Sequence, residues 1–187
     1  LLATMPGGVD LGLLAWWPRI LKGALLEAPR NGFVNTHPSF LPYNRGKHYN
    51  FWALVEQNVF GVSLHRVDPG VDTGEAIAQK QIDYDWCDTG ETLYRKAEVT
   101  MVELFVQTYP SLRTGAFRST PQDLESGTFH HSSELDRASR VELDREYTAR
   151  DLLNLLRART FKGFPGCWFE EEGKRYEIAI EIREVDH

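Results

Sequence analysis

Cysteine is scarce in this 187-residue chain: Cys87 and Cys167 are the only two, and they lie far apart. They form neither a disulfide framework nor a metal-ligand spacing, so both read as reduced thiols and no metal is expected. Long apolar runs are missing as well. None reaches the ~18 residues needed to cross a bilayer. Leu1 to Pro6 lacks the basic segment and apolar core of a secretory leader. The expectation is a cytoplasmic protein with no membrane partner. Cations are in deficit, with 21 Lys plus Arg against 27 Asp plus Glu and a formal charge of −6. Nucleic-acid affinity rests on clustered cations, so nucleic acid is not the expected partner, although a local basic pocket is allowed. Internal repeats and low-complexity tracts are also missing.

What is present is an alternation of short apolar runs and helical patterns. Val9 to Trp17 reads as a strand buried on both faces, as in a parallel sheet. Pro18 ends it and opens an expected helix from Arg19 to Ala28. After the turn Pro29–Gly32, Phe33 and Val34 begin a second strand that runs into Asn35-Thr36-His37-Pro38. A strand–helix–strand unit of this kind favours parallel pairing. A helix is expected from His48 to Glu56, a strand from Phe60 to Val67 and another from Glu75 to Ile82. A long helix from Glu91 to Leu112 carries the stripe Leu93, Ala97, Met101, Leu104 and Phe105. Thr89 is its N-cap, with Thr92 at the third position and no capping box expected. Composition changes after Arg113. Residues 114–139 read as a loop-rich connection, Thr148 caps a helix from Ala149 to Arg159, and Cys167 to Glu184 reads as a hairpin turning at Gly173-Lys174. The expected division is a catalytic core at 1–113 and a small α+β subdomain at 114–187. The chain opens almost directly on a central-type strand, which leads us to expect further strands upstream in the natural protein.

The chemistry concentrates in two segments. In Asn35-Thr-His37-Pro-Ser39-Phe-Leu-Pro42, Asn35 and His37 are two apart on an extended segment and share a face. They fall at the carboxyl end of a strand, where ligands of open α/β sheets bind. Asn35 offers an amide N–H to a developing oxyanion, and His37 titrates near neutrality and can move a proton. In Asp68-Pro-Gly70-Val71-Asp72-Thr-Gly74, glycines let the backbone turn tightly, and Asp72 could orient the histidine or a water. A calcium loop is disfavoured because the rest of an EF-hand pattern is missing. Trp16 and Trp17 read as core side chains before cofactor contacts, and His48 and His65 read as structural or surface histidines. The His130-His131 pair lacks a third ligand for a metal.

Together with Arg45-Gly46, Gly61-Val-Ser-Leu-His65, Glu75 and Ile77-Ala-Gln79, these segments resemble the 10-formyltetrahydrofolate-dependent formyltransferases over about Val9 to Leu112. The resemblance implies a Rossmann-like formyltransferase fold of the α/β class, here with its N-terminal strands absent and a C-terminal α+β appendage. It implies Asn35, His37 and Asp72 as the catalytic set and N10-formyltetrahydrofolate as the formyl donor. It places the folate at Leu14, Ala15, Trp16, Trp17 and Pro18 and at Val67, Asp68, Gly70 and Val71. Within the family, Pro42 to Trp52 and Leu153 to Gly166 look like the sugar-nucleotide branch. The acceptor would then be a nucleotide-linked amino sugar held by Arg45, Gly46, Lys47, Tyr49 and Trp52, with aromatics for the base and cations for the phosphates. The purine and methionyl-tRNA branches, a formyl-folate hydrolase and a non-catalytic ligand-binding fragment are the alternatives. A homodimer is a further expectation.

Overall fold

The computed structural model describes residues 8–17 and 19–185. Leu1 to Pro6 and Pro18, both read above, lie outside the described residues. A four-stranded mixed sheet carries the site. Its strands are β1 (Gly12–Leu14), β2 (Phe33–His37), β4 (Gly61–Arg66) and β5 (Ala76–Gln81), in the order β1-β2-β4-β5. The two-residue strand β3 (Arg45–Gly46) lies apart and pairs in parallel with β6 (Phe129–His130). β1 and β2 run parallel, as the sequence implies, while β4 and β5 return antiparallel.

Alternation along the central strands separates a packing face from a chemical face. Val34 of β2 and Val62 and Leu64 of β4 enter the core. Asn35 and His37 lie on the other face, directly opposite His65 and Ser63 in the antiparallel register. The short α3 (Glu134–Ala138) aside, the core is closed by α1 (Tyr49–Glu56), α2 (Gly90–Thr114) and α4 (Ala149–Ala158), which supply Phe51, Leu54, Leu93, Ala97, Met101, Leu155 and Leu156. α4 therefore shares one continuous core with the sheet. The chain ends in the hairpin β7 (Cys167–Glu171) and β8 (Lys174–Ile178). Burial pushes the Cys167 thiol up to about 12, and both cysteines are free.

Four expectations change. The first strand is three residues long, not nine, because the backbone turns at Trp16 with φ 51°. Trp16 and Trp17 are exposed rather than core. The helix expected at Arg19–Ala28 is a single 3-10 turn, Gly23–Leu25. Gly23 takes φ 60°, and Ile20 and Leu25 stay exposed, so among the described residues the helical pattern meets no surface to pack on. Finally, a capping box does form on α2. Thr89 accepts from the Thr92 N–H, and the Thr92 hydroxyl accepts from the Thr89 N–H, so threonine serves where glutamate is usual.

Candidate active site

The two segments singled out in the sequence meet at one cavity of about 440 Å3. β2 delivers Asn35 and His37 to its lining, and the β4–β5 loop brings Asp72 beside His37. His37 Nδ1 lies 3.4 Å from Asp72 Oδ2, and the Gly46 N–H donates to the same oxygen at 3.0 Å. Gly46 takes φ 90°, and a Cβ there would collide with the His130 carbonyl, so only glycine lets this amide reach the carboxylate. Asp72 itself takes φ 54°, a left-handed conformation that Asp tolerates better than most residues. Its loop is pinned from both sides. Asp68 accepts from the Gly70 N–H and from the Thr73 hydroxyl, and the Gln122 side chain donates to the Asp72 carbonyl at 3.0 Å.

The electrostatics divide the roles. Burial lowers the His37 pKa, and this outweighs the opposing pull of Asp72. The ring is therefore neutral near pH 7. Burial would push the Asp72 carboxyl up, but His37, His65 and the Gly46 N–H hold it well below the usual carboxylate range. The carboxylate takes the Nδ1–H, which leaves Nε2 bare. The Asn44 carbonyl, 3.4 Å from Nε2, is also an acceptor; the neutral ring's one hydrogen goes to the charged carboxylate in preference, and the carbonyl takes a hydrogen bond when a proton arrives at Nε2. Tyr49 packs its ring edge-on to His37 at 5.7 Å, and burial raises its phenol, which stays protonated. Ser63 fixes the chain after His37: its hydroxyl donates to the Ser39 carbonyl and accepts from the Leu41 N–H.

The cavity walls contain most of the residues named from the sequence. Leu14, Trp16 and Trp17 line it, as do Val67, Asp68, Gly70 and Val71, together with Gly46, Lys47 and Tyr49. The Trp16 N–H donates to the Thr36 hydroxyl at 3.0 Å, which ties this wall to β2. Ala15, Arg45 and Trp52 do not line the cavity. Ala15 is exposed, and Arg45 is half-buried with its Nε enclosed and without a partner. Trp52 is drawn inward by α1 and stacks beneath His130 at 3.7 Å between ring centroids.

Sequence reasoning missed two groups. His65, read as structural, sits in the constellation itself: its Nε2 is 3.2 Å from Asn35 Nδ2 and 3.5 Å from Asp72 Oδ1. The connection at 114–139 returns Phe129, His130, His131 and Ser132 to the cavity wall. The aromatic run 129–131 was the only signal for it.

A donor amide and a neutral, carboxylate-held imidazole beside an apolar slot suit acyl transfer. The family comparisons agree. Residues 3–109 match the family model described as formyl transferase, and residues 134–184 match the N-formyltransferase dimerization C-terminal domain. The chain belongs to the formyl transferase family. It is 31% identical over 149 residues to a methionyl-tRNA formyltransferase of Thermodesulfovibrio yellowstonii, covering 79% of this chain and 47% of that protein. It is 28% identical over 166 residues to a dTDP-4-amino-4,6-dideoxyglucose formyltransferase of Mycobacterium bovis, covering 89% of this chain and 70% of that one. Among solved structures, the formyltransferase PseJ from Anoxybacillus kamchatkensis superposes with a TM-score of 0.65 at 32% identity, covering 69% of this chain and 68% of that one. That protein was solved with UDP-4,6-dideoxy-4-formamido-L-AltNAc and tetrahydrofolate. Among the described residues, no helix is long and apolar enough to cross a membrane.

Proposed function

We propose that this chain transfers a formyl group from N10-formyltetrahydrofolate to the amine of a nucleotide-linked amino sugar. The observation that carries the reading is the convergence of Asn35, His37 and Asp72 on one cavity that the apolar side chains of Leu14, Trp16, Val67 and Val71 also line. That apolar lining fits a flat pterin, and Leu14, Trp16, Trp17, Val67, Asp68, Gly70 and Val71 would hold it. When bound, the folate supplies the activated formyl carbon. The acceptor nitrogen forms a bond to that carbon as the bond to N10 breaks. His37 takes the amine proton at Nε2 and returns it to the departing nitrogen, while Asp72 holds the Nδ1–H. Asn35 donates its amide N–H to the formyl oxygen as charge builds there. Lys47, Tyr49 and the 129–132 segment border the end left for the acceptor.

The acceptor class rests on the C-terminal domain match and on the PseJ likeness, and the net charge of −6 argues against tRNA. The same C-terminal match supports pairing of two copies, which size-exclusion chromatography with light scattering would measure. The test of function is tetrahydrofolate release from N10-formyltetrahydrofolate, with amino sugars on dTDP and UDP, methionyl-tRNA and glycinamide ribonucleotide offered in parallel. Release that needs an amino sugar nucleotide is the expected outcome. Release only with methionyl-tRNA or the ribonucleotide, or release with no acceptor at all, would overturn the acceptor assignment.

A further inference from the structure

His65 has no part in the chemistry assigned so far, yet it is the buried side chain that touches both Asn35 and Asp72. We propose that His65 is a positioning residue, whose bare Nε2 holds one amide hydrogen of Asn35 and thereby leaves the other for the formyl oxygen. This deepens the proposed function and rests on it.

The argument starts from the Arg66 carbonyl, 2.7 Å from His65 Nδ1. A carbonyl oxygen only accepts, so Nδ1 carries a hydrogen. In the neutral ring Nε2 is then a bare acceptor. Of its two neighbours, Asp72 Oδ1 at 3.5 Å is itself an acceptor and cannot satisfy it. Asn35 Nδ2 at 3.2 Å can. The amide nitrogen therefore faces His65, and Asn35 Oδ1 is left buried without a protein partner. His65 is only 2% exposed, and β4 sets it directly opposite Asn35 in the sheet, so its ring is fixed. An Asn35 amide without this partner turns over and presents its carbonyl oxygen to the formyl oxygen, which repels it. A proton on Nε2 has the same consequence, because an N–H there holds the amide oxygen instead.

Two substitutions separate this role from packing. Gln at 65 can place a carbonyl oxygen near the Nε2 position, whereas Asn at 65 reaches only the Nδ1 position, beside the Arg66 carbonyl. The expectation is that H65Q retains kcat within about threefold, while H65N loses about 10²-fold, the scale of one oxyanion donor, with KM for the folate unchanged in both. A merely structural histidine would favour H65N, which keeps the contact to Arg66. Equal kcat in the two variants, or a loss confined to KM, would overturn the proposal. Long-range 1H–15N correlation spectra of the parent chain give a readout that needs no turnover. His65 should be protonated at Nδ1 and bare at Nε2; a proton on Nε2 at neutral pH would overturn the proposal whatever the activity. A parent that shows the Nδ1–H form yet formylates no acceptor would count against the proposed function and not against the hold of His65 on Asn35.

Discussion

Asp72→Asn tests the electrostatic core of the site with little change of shape. Asn tolerates the left-handed backbone at φ 54°, where Ala would add strain of its own. Its side-chain oxygen can still accept from the Gly46 N–H and from His37 Nδ1–H, both of which now meet Asp72 Oδ2. What is lost is the negative charge 3.4 Å from Nδ1. At an effective dielectric of about 20, that charge stabilises the imidazolium by about 5 kcal/mol, or roughly 3.5 decades. The proton is only partly transferred when the barrier is crossed, so the expected fall in kcat is about 10³-fold. The pH profile carries a second signature. Turnover needs neutral His37, whose pKa burial already holds below 6.5, so the parent loses activity as pH falls through that lowered value. Without the carboxylate the imidazolium is weaker still, and the acid limb moves further down. Stability shifts too. A carboxyl with a depressed folded pKa stabilises the protein above the usual carboxylate range and ceases to do so in acid, so the variant loses stability at neutral pH but not at low pH. Stopped-time assays of tetrahydrofolate release, run below both melting temperatures, measure rate and limb together. A kcat within about tenfold of the parent, or an acid limb that moves up, would refute the assignment of Asp72 as the counter-charge of His37.

Other expectations follow from the fold. His130 is held by Glu56 at 2.7 Å and Glu134 at 3.2 Å; burial opposes its protonation, but the two carboxylates raise its pKa overall. That stabilisation is fully present below 6.5 and lost as pH rises through the raised value, so Glu56→Gln should lower the melting temperature more at pH 6 than at pH 9. An equal loss at both would exclude the ion pair. Thr89→Ala removes one half of the capping box on α2 and should cost about 1 kcal/mol, seen as a melting shift of about 2–4 °C. Leu54 is fully buried among the helices and sheet, so Leu54→Ala should cost about 2–5 kcal/mol in urea unfolding; a cost below about 1 kcal/mol would mean that this part of the core is not packed as described.

The elements that could be read from the sequence are those in which periodicity and packing agree. α2 has Leu93, Ala97, Met101 and Leu104 on one stripe, and all four are buried against the sheet. The strands at Gly61–Arg66 and Ala76–Gln81 fall within a residue of their expected bounds. The segment after Trp17 has helical spacing, but Gly23 takes a positive φ and, among the described residues, no surface covers its apolar positions. Pattern predicts which face a helix would bury, not whether anything waits to receive that face. The reading of Trp16 and Trp17 as core failed for a similar reason: large apolar side chains at a cavity mouth look, in one dimension, like those of a strand interior.

The site divides along the same line. Asn35 and His37 were legible because a period of two needs only one strand to place both on a face. Asp72 was a candidate from its turn-rich loop, and the resemblance strengthened it, since a Gly-rich loop alone does not say where its carboxylate returns. His65 needed more than either, namely the antiparallel register that sets residue 65 opposite residue 35. A single sequence carries no pairing partner, so a histidine on β4 and an asparagine on β2 remain two separate facts until the strands are laid side by side. Once they are, the alternation that sends Val62 and Leu64 into the core requires Ser63 and His65 to face the chemistry, where Ser63 anchors the loop after His37 and His65 meets Asn35. The packing of one face of the sheet thus sets the polar groups of the other, and a one-residue slip of β4 would empty the core and dismantle the site together.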